Sequence, residues 1–216
     1  MTRRLLRVSA AALMVLAVGS VAGAQVIDQS TSPSFAAFSS SNRWTGQTFR
    51  PDAGTVAGAG ANLFSYYSNA PLETGIVDVQ LWTTAPSTAG ATMLASGTTM
   101  FSLAARESAF TDVFWSAVNV TPGDEYFLAF KTTYYGPDGM EFSYTGDSYT
   151  KGNAYYNNSG DISETWYGYG YNLSFREYST AAVVATPEPE SIVLFGTGLL
   201  GVLLAARRRK MDDSAL

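Results

Sequence analysis

Val77-Asp78-Val79-Gln80-Leu81-Trp82 and Tyr126-Phe127-Leu128-Ala129-Phe130-Lys131 decide the fold. In the first stretch Val77, Val79 and Leu81 alternate with Asp78 and Gln80. In the second, Tyr126, Leu128 and Phe130 alternate with Phe127, Ala129 and Lys131. A period of two places alternate side chains on opposite faces of a strand, so each stretch reads as a strand with one face on a core. Tyr171, Leu173 and Phe175, alternating with Asn172, Ser174 and Arg176, repeat the pattern. Turn chemistry lies between such runs. Thr121-Pro122-Gly123-Asp124 puts Pro and Gly at the two centres of a type II turn, and Gly136-Pro137-Asp138-Gly139 and Ser159-Gly160-Asp161 punctuate later hairpins. Candidate strands fall near 44–50, 60–67, 76–82, 92–101, 110–120, 125–134, 140–145, 153–157 and 171–178, with no sustained amphipathic helical stripe between 25 and 186. The expected architecture is all-β, an antiparallel two-sheet sandwich of jelly-roll rather than immunoglobulin type.

Both ends of the chain carry targeting chemistry. Arg3, Arg4 and Arg7 precede an apolar run from Val8 to Val18, and Ala22-Gly23-Ala24 offers a small-x-small site before Gln25. That order predicts a secretory signal peptide over 1–24, cleaved between Ala24 and Gln25. At the other end Pro187-Glu188-Pro189 precedes an apolar run from Ser191 to Ala206, followed by Arg207-Arg208-Arg209-Lys210. Each Pro lacks an N–H and biases its predecessor away from helix, so the tripeptide reads as an extended hinge. Sixteen residues at about 1.5 Å each make a helix of roughly 24 Å, slightly short of a bilayer core of ~30 Å. The four cations place the C-terminus in the cytoplasm as a stop signal. The organisation expected is therefore signal peptide 1–24, sandwich domain 25–178, linker 179–186, sorting signal 187–210 and a short cytoplasmic tail 211–216. A plain tail anchor is the alternative reading of the C-terminal run.

Hinge, helix and basic cluster in that order resemble the PEP-CTERM sorting signal of exported bacterial envelope proteins. The resemblance implies an exosortase-type membrane protease as partner and transient insertion into the inner membrane. It also implies a final place at the cell surface or in the extracellular matrix, associated with extracellular polysaccharide and biofilm. The body is similar to other exported PEP-CTERM proteins through Gly46-Gln47-Thr48-Phe49, Val77 to Trp82, and Thr121-Pro122-Gly123 leading into Tyr126 to Phe130. Such bodies resemble β-sandwich carbohydrate-binding modules.

Composition excludes several functions. From 25 to 186 the cations are Arg43, Arg50, Arg106, Lys131, Lys151 and Arg176, six against fourteen acids. Without a basic cluster, nucleic acid is not an expected partner. The chain has no Cys and no His. Disulfides, thiolate or Ser-His-Asp catalysis and His-ligated zinc are thereby unavailable. Carboxylate chemistry remains. Glu107 and Glu125 could flank a glycosidic bond, but scattered acids are more simply a solvated surface, so the expectation is no enzyme and no cofactor. Gly54, Gly58 and Gly60 form no nucleotide fingerprint and read as a turn leading into a strand. Calcium is the one ion worth considering, at Asp138, Glu141 and Asp147 or at Asp161 and Glu164, though neither set has the spacing of a defined calcium loop. The sequons at Asn119, Asn157 and Asn172 read as chance.

Aromatic residues are the lead to a ligand. The doublets Tyr66-Tyr67, Tyr134-Tyr135 and Tyr155-Tyr156 must, within strands, send one ring to each face. Trp166-Tyr167-Gly168-Tyr169-Gly170-Tyr171 adds rings separated by glycines. Flat rings with polar edges suit the apolar faces and hydroxyls of sugars, which makes Tyr156, Trp166, Tyr167 and Tyr169 candidate ligand-binding residues. The opposing reading places Tyr167, Tyr169 and Tyr171 in the core, on the parity of Leu173 and Phe175. The expectation is core for Tyr171 and an accessible loop for Trp166 to Tyr169.

Overall fold

The computed structural model describes residues 24–37, 43–65, 72–134, 140–146 and 149–181. The signal segment before Ala24, Pro187-Glu188-Pro189, the run 191–206, and Arg207 to Lys210 all lie outside the described residues, as do Tyr66, Tyr67 and Tyr135.

The described chain forms thirteen strands and no helix: β1 (Gln25–Ser30), β2 (Phe35–Ala37), β3 (Trp44–Phe49), β4 (Thr55–Ser65), β5 (Glu73–Trp82), β6 (Met93–Leu103), β7 (Ser108–Asn119), β8 (Tyr126–Tyr134), β9 (Met140–Thr145), β10 (Ala154–Asn157), β11 (Tyr167–Tyr169), β12 (Asn172–Leu173) and β13 (Phe175–Thr180). The pairings β3–β8, β5–β8, β5–β6, β4–β7 and β4–β13 are all antiparallel. One sheet runs β1-β13-β4-β9-β12, with β7 on β4 and β2 on β9. The other runs β11-β10-β3-β8-β5-β6. The fold is thus the expected all-β architecture of two antiparallel sheets, wound so that sheet neighbours are mostly distant in sequence.

Period two does the work the sequence assigned to it. Val77, Val79 and Leu81 of β5 and Leu128 and Phe130 of β8 are fully buried between the sheets, against Leu63 of β4, Phe142 of β9 and Phe175 of β13. The Thr121–Asp124 turn closes with Asp124 N–H donating to the Thr121 carbonyl at 3.2 Å, and Gly123 adopts φ 84°, which a type II turn needs at its third position. One boundary differs from expectation. Gly58 and Gly60 lie inside β4 rather than in a turn before it, with Ala59 and Ala61 pointing into the core. Small side chains on both faces let Phe114 and Asp112 of β7 lie close over the strand: a Cβ on Gly60 would sit 2.0 Å from Asp112 Oδ1.

Two poles follow from strand direction. β3 ends and β4 begins at loop 50–54, which is tied to the next turn by Gly123 N–H on the Pro51 carbonyl (2.9 Å) and Val120 N–H on the Gly54 carbonyl (3.0 Å). Both ends of the described sandwich lie there: Ala181 N–H donates to the Ala24 carbonyl at 2.8 Å, and the Thr55 and Thr180 hydroxyls meet at 2.9 Å. The opposite pole carries the 104–107 turn and, because Asn157 pairs with Trp44, the 158–166 loop.

Candidate functional site

At the β11 edge of the six-stranded sheet, Tyr156 pairs in register with Tyr167, and Ala154 with Tyr169. Ala154 is buried in the main core, so strand alternation turns Tyr156, Tyr167 and Tyr169 to that side, where the outermost strands leave the sandwich open. The rings form a connected cluster. Tyr156 stacks on Tyr167 (5.5 Å, 29°) and meets Tyr169 edge-on (5.7 Å, 86°), and Tyr169 contacts both Tyr171 (5.7 Å) and the buried Tyr144 (4.9 Å). Tyr167 and Tyr171 are the exposed members, at 48% and 46%. Offset and edge contacts of this kind contribute about 0.5–1.5 kcal/mol per aromatic pair and so favour these ring orientations.

Three expectations for this region are corrected. Trp166 is not an accessible loop ring. It is buried in a second, smaller core on the outer face of the six-stranded sheet, with Trp44, Phe127 and Ala129. Its ring meets Phe127 edge-on at 4.9 Å, and its indole N–H donates to the Ile162 carbonyl at 3.0 Å. Gly46 beneath makes room, since a Cβ there would lie 2.2 Å from Phe127 Cζ and 2.9 Å from Trp166 Cζ3. Tyr167 and Tyr169 lie in a strand rather than a loop. Tyr171 is half-exposed rather than core, because the chain bends at Gly170-Tyr171 between β11 of one sheet and β12 of the other, which breaks the parity that would bury it.

The 158–166 loop that covers the smaller core is pinned by Lys131. Its ammonium sits 5.5 Å from the Trp44 ring centre and donates to the Gly160 carbonyl at 3.4 Å, which also accepts from the Trp44 indole at 3.0 Å. Asp78, paired in register with Lys131, has its carboxyl pushed up by burial, an effect that Lys131 opposes. Tyr155 turns to this outer face, against Phe127 at 5.6 Å, while Tyr156 turns the other way, as expected of a doublet in a strand.

The remaining candidates do not assemble. Glu107 closes the 104–107 turn by accepting from Ala104 N–H at 2.9 Å, whereas Glu125 pairs with Arg50 at 3.5 Å near the other end of the twelve-residue β7. At ~3.3 Å per residue that is far beyond the separation of a glycosidase pair. Asp161 holds Ser163, accepting from its N–H at 2.9 Å and its hydroxyl at 2.8 Å, and these bonds lower its carboxyl pKa. Glu141 is buried, which raises its carboxyl pKa, and Asp138 and Asp147 lie outside the described residues. Among the described residues no three acidic side chains converge on a metal position. Of the sequons, Asn157 and Asn172 are buried and donate inward, to the Asp161 and Tyr149 carbonyls respectively.

The described region is therefore an antiparallel β-sandwich bearing an aromatic surface cluster. Residues 185–210 match the PEP-CTERM protein-sorting motif, so the chain carries a signal for export and membrane-anchored sorting of the kind that exosortase processes. No curated protein matches the chain.

Proposed function

We propose that this exported protein is a non-enzymatic surface component that associates with extracellular polysaccharide through the Tyr156, Tyr167, Tyr169 and Tyr171 cluster. The observation that carries the reading is the half-exposure of Tyr167 and Tyr171, each packed against a neighbouring ring, Tyr167 on Tyr156 and Tyr171 on Tyr169, with Tyr169 in turn against the buried Tyr144. A preordered ring loses little conformational freedom on binding, and stacking against the apolar face of a sugar contributes on the order of 1 kcal/mol per ring. The sorting signal supports a place where such glycans occur. Replacing Tyr167 and Tyr171 together by Ala should reduce retention of the exported body on extracellular polysaccharide at least several-fold, with the melting temperature little changed. Equal retention of parent and variant, or no retention of the parent, would overturn the reading.

Intact-mass measurement of protein recovered from the cell surface should give an N-terminus at Gln25 and a C-terminus within 187–190, with the inner-membrane stage transient. A mature species that still carries Arg207 to Lys210 would show a plain tail anchor instead.

A further inference from the structure

β1 opens at Gln25 and β13 closes at Thr180, and the two strands are paired neighbours, with Gln25 opposite Thr180 and the Ala24 carbonyl bonded to Ala181 N–H at 2.8 Å. The start of the mature body and the exit towards the sorting signal thus leave the sandwich side by side. Beyond Ala181 only Ala182, Val183 and Val184 precede the sorting match at 185, and Pro187 stands six positions on. An extended chain of that length reaches about 20 Å. Any protease acting at Pro187-Glu188-Pro189 from within the membrane must therefore work against the pole that holds both ends.

That pole is built from loop 50–54, the 119–125 turn, the β5–β6 connection at 83–92 and the two ends. Its cations are already engaged, Arg50 with Glu125 at 3.5 Å and Lys151 with Asp52, leaving Asp28 and Asp124 in excess. Asp28 accepts from the backbone N–H groups of Asp52 and Ala53 at 2.9 and 3.2 Å, which holds the loop closed rather than neutralising the pole. An acidic face gains nothing from an anionic lipid surface.

The geometry points to this pole as the face that meets the membrane-embedded processing protease, held there by the short tether rather than by lipid contact. The sandwich then stands on its ends. The 104–107 turn and the 158–166 loop, with the Tyr156 and Tyr167 end of the tyrosine cluster, point away from the bilayer. This rests on the sorting reading, and only the outward direction of the cluster bears on the polysaccharide reading.

Two measurements on the full chain test it. Deleting Ala182 to Val184 leaves β13 and residues 185–210 intact but halves the reach to about 10 Å. Tail removal should slow several-fold, while inserting a Gly-Ser-Gly spacer at the same point should leave it at the parental rate. Because the chain has no Cys, single thiols can be placed as Asp124→Cys at the proposed membrane-side pole and Thr165→Cys at the other. With the tail retained in membranes, a dye at position 124 should be quenched more strongly by a headgroup nitroxide than one at 165. Parental processing of the deletion variant, or equal quenching at the two positions, would overturn the proposal. Neither measurement involves the tyrosines, so failure of the polysaccharide reading is seen separately in the Tyr167 and Tyr171 variants.

Discussion

Glu177→Gln is expected to raise the stability of the sandwich at pH 8 and to leave it nearly unchanged at pH 4.5. Glu177 lies on the core side of β13, opposite Ala59 of β4, and is fully buried. Burial pushes its carboxyl pKa up from 4.5 to about 9, with further repulsion from Asp28 and Asp52. Nearby, Tyr149 donates to the Gln29 side chain, which in turn donates to the Arg50 carbonyl, so the surrounding donors are already committed. The folded state binds this proton more tightly than the unfolded state does. The stability contributed by the neutral carboxyl is therefore complete below pH 4.5 and is lost progressively as pH rises towards 9. Each unit is worth about 1.4 kcal/mol, so at pH 8 the loss is on the order of 4 kcal/mol. Gln is neutral throughout and avoids it. Thermal melts of parent and variant across this range check the claim, and parallel profiles for the two proteins would refute it.

Trp166→Ala should cost roughly 3 kcal/mol, whereas Tyr167→Ala should change stability by less than about 1 kcal/mol. The two residues are adjacent in sequence but face opposite environments. Trp166 is 9% exposed and fills the space over Gly46 beside Phe127, so truncation leaves a cavity and removes the hydrogen bond to the Ile162 carbonyl. Tyr167 is 48% exposed and loses one stacked partner, Tyr156. Denaturant midpoints of the two variants measure the difference. A Trp166→Ala protein as stable as the parent would mean that the indole is not part of a core.

The placement of these two residues shows where sequence reading reached its limit. Of the four rings singled out in the sequence, Tyr156, Tyr167 and Tyr169 come together, whereas Trp166 packs into the smaller core. Parity failed at Tyr171 because it assumes one continuous strand, while β11 and β12 belong to different sheets. Strand β1, which the candidate strands do not include, has a related cause. Only Gln29 of its six residues is buried, so backbone pairing to β13 holds it and no side-chain alternation announces it. The 158–166 segment shows the converse: its composition is that of a polar loop, yet Ile162 and Trp166 fold back onto the sheet.

Sequence by itself determined the targeting and the fold class. A sorting signal is written in contiguous residues, and period two is a property of one strand at a time, so both are legible without knowing any partner. Tertiary structure alone decided which aromatic residue is core and which is surface, that Glu177 is sealed beside Asp28 and Asp52, and that Ala24 and Ala181, the two ends of the described sandwich, share a pole. Each of these depends on strands far apart in the chain being brought side by side, as Gln25 is with Thr180 and Trp44 with Asn157. Burial and charge at a residue are set by those neighbours, and no local pattern encodes them.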